Sequence, residues 1–203
     1  MKSSAEFLTL ASTSEAVYKV KASKFLAFAW SVESENEIKG LLQNLKLKFP
    51  DADHHCFAWR LGPGKDKYRY YDDGEPSGTA GRPIFGQILS RNLTNVLVVV
   101  VRYFGGTKLG TAGLIDAYKT AAAMALDAAP LVNRSLKFRV KLRFSYQLTS
   151  RVMRLVKEWN AEVVSTSYDQ VCEMIISLDV TLRSRVMESL RETYGLEVDE
   201  LAS

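Results

Sequence analysis

Apolar and cationic residues alternate without interruption between residues 136 and 144. The apolar positions of this stretch are Leu136, Phe138, Val140, Leu142 and Phe144, and lysine or arginine occupies every position between them. A period of two predicts a β-strand with one apolar face and one cationic face. This segment is therefore expected to lie on a sheet whose apolar face is covered and whose cationic face is open.

After this strand the apolar spacing changes to that of a helix, and the two patterns then recur. Helices are predicted around 148–159 and 182–190, and strands at 161–168, 171–178 and 196–201. The tetrapeptide Ser-Arg-Val-Met occurs at the start of both predicted helices, first at Ser150 and again at Ser184. A βαββαβ order with an internal duplication predicts a ferredoxin-like domain.

The first part of the chain predicts a mixture of strands and helices. Strands are expected near 16–21, 25–32, 54–61 and 68–71, and helices near 35–48, 83–91 and 111–128. The continuous apolar run within Asn95–Tyr103 predicts a strand that is buried on both faces. The polar, Pro-containing stretch Ala129–Ser135 predicts a break. We therefore expect an α+β protein with two domains, residues 1–132 and 133–203.

The composition excludes several classes of protein. With 203 residues, of which 47% are hydrophobic and 25% charged, the chain resembles an average globular protein. Its longest strongly apolar stretch, Val96–Val101, is too short to span a bilayer, and the N-terminal residues do not form a signal peptide. Cys56 and Cys172 form no CxxC pair, which fits reduced thiols. We expect a cytoplasmic protein with no membrane partner.

Two glycine-rich segments are the most unusual parts of the sequence. Tyr70–Pro83 is dense in glycine, proline and small hydroxyl residues, and its backbone amides are candidates to cradle an anion beside Arg82. In Asn95–Gly113 a predicted strand is followed by a Gly-Gly turn and then by the start of a helix. The unpaired amides at such a helix N-terminus are also candidates to bind a phosphate. Neither segment has Walker A or dinucleotide-binding spacing. The alternative interpretation is a rigid turn and close packing of a helix on the sheet.

The remaining polar clusters give no sign of a metal or catalytic centre. His54, His55 and Cys56 are adjacent, so on a strand their side chains point to alternating faces and cannot share one metal ion. Asp72 and Asp73 lie in a Gly-Pro loop, where acidic residues usually form turns. No nucleophile elbow of the GxSxG type occurs. We expect no metal, no cofactor and no catalytic residue.

A run of positive charge extends over residues 134–157, which contain eight lysines and arginines and no acidic residue. On a ferredoxin-like sheet the strand cations line the open face, where RNA-recognition modules bind their ligand. Two observations oppose specific base recognition. Glu197 and Asp199 are expected on the neighbouring strand, where they can form ion pairs with the row, and Val171–Leu178 lacks stacking aromatic residues. Contact to RNA phosphates remains the expectation.

Two long segments also resemble the signature segments of a known family. GEPSGTAGRPI (Gly74–Ile84) and VVVVRYFGGTKLGTAGLIDAY (Val98–Tyr118) closely resemble those of the IMPACT/YigZ family. The resemblance implies a ribosomal protein S5 domain 2-like fold for the first domain and a C-terminal domain like the last domain of the translocation elongation factor. Eukaryotic relatives regulate translation by engaging an activator of an initiation-factor kinase through an additional N-terminal domain. No such domain is recognisable here, so a bacterial cytosolic role is expected.

These observations predict a non-enzymatic, translation-associated regulator that binds RNA or the ribosome. A protein-interaction module in the control of translation initiation and a phosphate-handling enzyme are the alternatives. The predicted ligand surface of the first domain consists of Glu75, Ser77, Thr79, Arg82, Arg102, Gly105, Gly106 and Lys108. A second predicted surface consists of Arg134, Lys137, Arg139, Lys141 and Arg143, and both surfaces are candidates for binding RNA or the ribosome.

Overall fold

The protein divides into two compact units in a computed structural model that describes residues 6–62 and 67–201. Phe7–Arg134 make up the larger unit, and Ser135 and the residues after it make up the body of the smaller unit. Each unit has a hydrophobic core of its own. Within the described residues, no helix combines the length and the hydrophobicity needed to cross a membrane.

The larger unit is built on a five-stranded antiparallel sheet. The elements up to the start of the smaller unit are β1 (Glu6–Leu10), β2 (Ser14–Val20), β3 (Ser23–Ser31), α1 (Glu35–Lys48), β4 (His54–Arg60), β5 (Tyr68–Tyr71), α2 (Gly81–Ser90), β6 (Val96–Tyr103), α3 (Gly110–Ala128) and β7 (Leu131–Ser135). The spatial order of the main sheet is β2-β3-β6-β4-β5, and every neighbouring pair is antiparallel. This order leaves β2 and β5 at the two edges.

The central strand β6 is buried on both faces, as its continuous apolar run predicts. Successive side chains of a strand point to opposite faces, so the run supplies both cores of the unit at once. Val98 packs in the core that contains Ile84 of α2 and Tyr118 of α3. Its neighbour Val99 packs in the core that contains Ile38 of α1. The sheet is therefore covered by α2 and α3 on one face and by α1 on the other.

Two short strands of the larger unit were not expected from the sequence. The helical stretch ends at Ala128, as the predicted break over residues 129–135 requires, but Leu131–Ser135 then form β7, which pairs with β1. The Pro130 carbonyl beside it accepts a hydrogen bond from the amide of Ala11 at 2.8 Å. Each strand has only five residues, and β7 has no buried position, so neither shows the alternation that marks longer strands.

The smaller unit has the element order that the sequence predicts. Its elements are β8 (Lys137–Phe144), α4 (Thr149–Glu158), β9 (Glu162–Tyr168), β10 (Cys172–Asp179), α5 (Arg183–Arg191) and β11 (Leu196–Leu201). The antiparallel strands lie in the order β11-β8-β10-β9. The apolar face of β8 shares one core with both helices, so α4 and α5 cover the same face of the sheet and leave the other open.

The repeated tetrapeptide has a structural reason. Its valines, Val152 and Val186, each occupy the fourth position of their helix, and both are buried in the core. Each helix follows a strand and a short 3-10 turn, Tyr146–Leu148 before α4 and Val180–Leu182 before α5. Equivalent positions in the two halves therefore use the same residue to attach the helix to the sheet.

Candidate functional site

The first glycine-rich segment folds around a carboxylate of the protein itself. Asp72, which follows β5, accepts hydrogen bonds from the amides of Gly78, Ala80 and Gly81 at 2.9, 3.0 and 2.8 Å. These donors lie at and just before the N-terminus of α2, where unpaired amides favour a negative charge. Asp72 thus occupies the position that the sequence suggested for an external anion. This removes the main physical support for a phosphate-handling enzyme at this segment.

Glycines in both segments permit close approach of the backbone. A Cβ atom at Gly81 would lie 2.6 Å from the backbone nitrogen of Tyr71, and one at Gly105 would lie 2.1 Å from the backbone carbon of Ala22. Neither distance is compatible with a side chain unless the backbone moves. The amide of Gly105 also donates to Ser23 Oγ at 3.1 Å, and the Phe104 amide donates to Asp53 Oδ2 at 2.7 Å. The Gly-Gly turn is therefore fastened to neighbouring elements.

The two glycine-rich segments meet at a buried ion pair. Glu75 Oε1 accepts hydrogen bonds from Arg102 Nη1 at 2.5 Å and from the Tyr118 hydroxyl at 2.7 Å. Glu75 is 8% exposed and Arg102 is 5% exposed. The guanidinium carbon lies 5.4 Å from the ring centres of both Phe25 and Phe104. Glu75 and Arg102 therefore neutralise each other in the interior of the unit, and neither charge faces solvent.

A thiol and a histidine border this buried pair. Cys56 Sγ lies 3.0 Å from the Asp72 carbonyl oxygen and 3.4 Å from the Tyr118 hydroxyl. Burial raises the pKa of both the Cys56 thiol and the Tyr118 hydroxyl, so both stay protonated at neutral pH. His54 Nδ1 donates to the Asp73 carbonyl at 2.8 Å, and its Nε2 lies 3.8 Å from Glu75 Oε1. These groups form a hydrogen-bonded frame without an ionised nucleophile.

The adjacent histidines of β4 point to different surroundings, as strand alternation requires. His54 faces Glu75, whereas His55 approaches the carboxylate of Asp73 at 3.9 Å and is buried. Burial lowers the pKa of His55, with Asp73 opposing this shift. His54, Cys56 and Tyr118 belong to the network around Glu75 but were absent from the predicted site. Strand alternation along β4 places His54 and Cys56 on one face, but no local signal in the sequence linked them to Glu75.

The predicted ligand surface of the larger unit thus splits into an interior part and an exterior part. Glu75, Thr79 and Arg102 are buried, and the Thr79 hydroxyl donates to the Pro76 carbonyl at 2.6 Å. Gly105 is half-buried in its turn. The structure leaves four of the predicted residues exposed on this frame, namely Ser77, Arg82, Gly106 and Lys108.

The predicted surface of the smaller unit is also altered, because most cations of β8 are paired. Lys137 contacts Glu162 at 2.5 Å, and Lys141 contacts Glu173 at 2.8 Å. Arg143 contacts Glu173 at 2.8 Å and Asp199 at 3.6 Å. These hydrogen bonds lower the pKa of both Glu162 and Glu173.

The acidic residues of this open face come from three strands. The register places Glu162 of β9, Glu173 and Asp179 of β10, and Glu197 and Asp199 of β11 on the same face as the β8 cations. Ion pairing by the last strand was expected from the sequence, but the contributions of β9 and β10 were not. The row is therefore neutralised more completely than predicted.

Two predicted cations form no ion pair with the carboxylates of this face. Arg134 of β7 lies 3.5 Å from Glu33 within the larger unit. Arg139 is exposed and forms no salt bridge with any residue that the structure describes. On α4, three further cations of the same basic run are exposed and likewise unpaired within the described ranges, namely Arg151, Arg154 and Lys157. Arg185 and Arg191 on α5 are also exposed and form no salt bridge with a described residue, so the free positive charge of the smaller unit lies on both helices and at Arg139.

Comparisons with known proteins identify relatives over most of the chain. Residues 21–126 match the Impact N-terminal domain. An IMPACT family member of Thermus thermophilus is 40% identical over 143 residues, covering 70% of this chain and 76% of that protein. The IMPACT family member YigZ of Escherichia coli K12 is 29% identical over 164 residues, covering 80% of each chain. A solved structure described as a hypothetical protein is 25% identical, covers 98% of each chain and has a TM-score of 0.75.

Proposed function

The chain belongs to the IMPACT family, and from that premise we propose that it regulates translation by binding RNA or the ribosome rather than by catalysing a reaction. The family resemblance of its two signature segments implies a role in translation. The buried groups around Glu75 favour a structural frame, because the carboxylate accepts hydrogen bonds from both the Arg102 guanidinium and the Tyr118 hydroxyl. Binding is then left to the groups on the outside of the frame.

We also propose the finer fold assignments. The βαββαβ order, the antiparallel strand order and the position of both helices on one face support a ferredoxin-like fold for the smaller unit. The S5 domain 2-like fold of the larger unit is supported by the family resemblance. An experimental structure of each domain, superposed on representatives of both folds, tests the two assignments.

The observation that carries the binding proposal is the contrast between paired and unpaired cations. In β8, Lys137, Lys141 and Arg143 neutralise carboxylates of the same sheet. Other exposed cations form no salt bridge within the described part of the chain, and they include Arg82 and Lys108 in the larger unit and Arg151, Arg154 and Lys157 on α4. Unpaired cations release counterions from nucleic acid without first breaking an internal ion pair.

Salt titration of RNA and ribosome binding tests this proposal. Binding is measured by fluorescence anisotropy on a single-stranded RNA and by co-sedimentation with ribosomes over a range of salt concentrations. Each phosphate that is neutralised adds about −0.7 to the log-log salt slope. We expect Arg82→Ala and Arg154→Ala each to reduce the slope by about that amount. Lys141→Ala, which removes a paired cation, is the matched control and should change the slope less.

Two results would contradict the proposal. Absence of binding to both RNA and ribosomes at low salt removes it, and so does binding that is insensitive to salt, because phosphate contacts cannot then provide the affinity. An equal change of slope in Lys141→Ala and Arg154→Ala would contradict the distinction between paired and unpaired cations.

A protein partner is the second candidate, and the open face of the smaller unit favours it. Four cations are interleaved there with five carboxylates from neighbouring strands, a pattern that suits a partner with complementary polar groups better than a polyanion. A pull-down after nuclease treatment distinguishes the candidates. The exchange Lys137→Glu with Glu162→Lys keeps an internal pair whose members form no other salt bridge among the described residues, but it inverts the charge pattern. It should therefore abolish capture of a protein partner and leave RNA binding intact.

A further inference from the structure

Three aromatic rings lie together at an edge of the larger sheet. The rings of Tyr68 and Phe85 are 4.6 Å apart between centres and inclined by 17°. Tyr70 stacks on Tyr68 at 6.3 Å, also with 17° between the ring planes. We call Tyr68, Tyr70 and Phe85 the aromatic platform. The Tyr68 ring is nearly parallel to both of its neighbours, whereas the rings of Tyr70 and Phe85 are 5.8 Å apart and inclined by 34°.

The platform is held by two elements and remains open to solvent. Tyr68 and Tyr70 are two residues apart on β5, so they share a face of this edge strand. Phe85 projects from α2 toward them. Tyr68 is 44% exposed and Tyr70 is 43% exposed, although rings of this size usually lose most of their surface in a core. Ring surface is therefore available to another planar group.

A positive charge lies beside the platform. Arg82 is three residues before Phe85 on α2, which places the two side chains on one face of the helix. Arg82 is exposed and forms no salt bridge with any described residue. Three carboxylates precede it within ten residues of the chain. Glu75 accepts hydrogen bonds from side chains, and Asp73 and Asp72 accept them from backbone amides. The local environment thus combines flat apolar rings with an uncompensated guanidinium.

We propose that the aromatic platform and Arg82 form a binding site for single-stranded RNA, in which bases stack on the tyrosine rings and the guanidinium contacts a phosphate. This combination of stacked rings and adjacent cations is how proteins bind single strands with little sequence preference. The inference rests on the proposed RNA-binding function and assigns it a contact surface. The sequence-based expectation included Arg82 in a binding surface, but it named none of the three aromatic rings.

Stacking predicts a particular specificity. Bases of a single strand offer their faces, whereas bases of a duplex are already stacked on each other, so the platform should prefer single strands. Sequence preference should be weak, because every base has an aromatic face. A strand without bases should lose the stacking contribution while it keeps its phosphates.

The test measures anisotropy of a labelled uridine dodecamer with the full chain at low salt. Tyr68→Leu and Tyr70→Leu should each weaken binding, by roughly 5- to 150-fold for each base stack that is lost. Tyr68→Phe keeps the ring and should bind like the unmodified protein. Tyr146→Leu and Tyr194→Leu are matched controls, because these tyrosines are 79% and 95% exposed in the smaller unit, and they should have no effect.

The outcomes separate this inference from the proposed function. If the unmodified protein binds no RNA, the proposed function fails and the platform fails with it. If it binds RNA and the two leucine variants bind equally well, only the platform is overturned, and the edge of β5 is better suited to an extended peptide. If a leucine variant fails to fold by circular dichroism, an abasic dodecamer decides, because equal affinity for the abasic and the normal strand overturns stacking.

Discussion

The Glu75–Arg102 pair of the larger unit and the ion pairs of β8 in the smaller unit have the same chemistry but different surroundings. Glu75 and Arg102 are almost fully buried, and the tyrosine hydroxyl of α3 donates a further hydrogen bond to Glu75. Arg102 Nε is buried without a hydrogen-bond partner among the described residues. The pairs of β8 lie on an open sheet face. A buried charge that loses its partner remains desolvated, whereas an exposed charge is hydrated by water. The extent of burial therefore determines whether an ion pair contributes mainly to the stability of the fold or mainly to the charge of a surface.

The largest expected effect comes from removing one member of the buried pair. Arg102→Met leaves the Glu75 carboxylate without its cation, and we expect the free energy of unfolding to fall by about 3–5 kcal/mol. Urea denaturation followed by circular dichroism measures the change. The double variant Arg102→Met with Glu75→Leu removes both charges and should recover much of the loss. If the single variant loses less than about 1 kcal/mol, the pair does not hold the two glycine-rich segments together.

The next effect concerns the close approach of the Gly-Gly turn. Gly105→Ala places a methyl group against the backbone of Ala22 and should destabilise the protein by about 1–3 kcal/mol through overpacking. Gly40→Ala is the matched control, because Gly40 lies in α1 with open space at its Cβ position. That substitution should stabilise the helix by about 0.5–1 kcal/mol. A Gly105→Ala variant as stable as the unmodified protein would contradict the observed packing.

Asp72 provides an intermediate case, a charge whose partners are backbone amides. Asp72→Ala leaves the amides of Gly78, Ala80 and Gly81 without their acceptor, and we expect a loss of about 1–2 kcal/mol, comparable to the loss of a helix cap. Asp72→Asn keeps one acceptor oxygen and should lose less. Thermal unfolding of both variants measures the difference. An added phosphate or sulfate that restores the Asp72→Ala variant would show that the vacated amides accept an external anion.

The smallest effect is expected on β8. Lys141→Ala should change stability far less than Arg102→Met, because both partners of its ion pair reach water. The change should instead appear in the titration of Glu173, whose pKa Lys141 lowers by hydrogen bonding. A folded-state pKa below the unfolded value contributes stability above the unfolded pKa, and this stability is lost as pH falls through the folded pKa. NMR titration should show the pKa of Glu173 rising in Lys141→Ala, and an unchanged value would mean that the ion pair does not form.

Local patterns in the sequence predicted much of the fold. The alternation in β8, the helical spacing of α4 and α5 and the double burial of β6 all depend on residues that are close in the chain, so periodicity reveals them. The strands β1 and β7 carry too few buried positions to produce such a pattern. The site was less predictable, since Glu75 and Arg102 are 27 residues apart and nothing local marks them as partners.

The sequence alone therefore determined where most strands and helices lie and which of their side chains share a face. It also determined which residues are charged and which segments are rich in glycine. Only the tertiary structure decided how the charges are used. In the folded protein, Asp72 accepts hydrogen bonds from backbone amides, and Arg102 is paired inside the larger unit. Glu162 and Glu173 form ion pairs with the cations of β8. The physical reason is that the electrostatic energy of a charged group depends on its burial and on its distance from other charges. Strand register and helix packing set both quantities, and they bring together residues that are far apart in the chain.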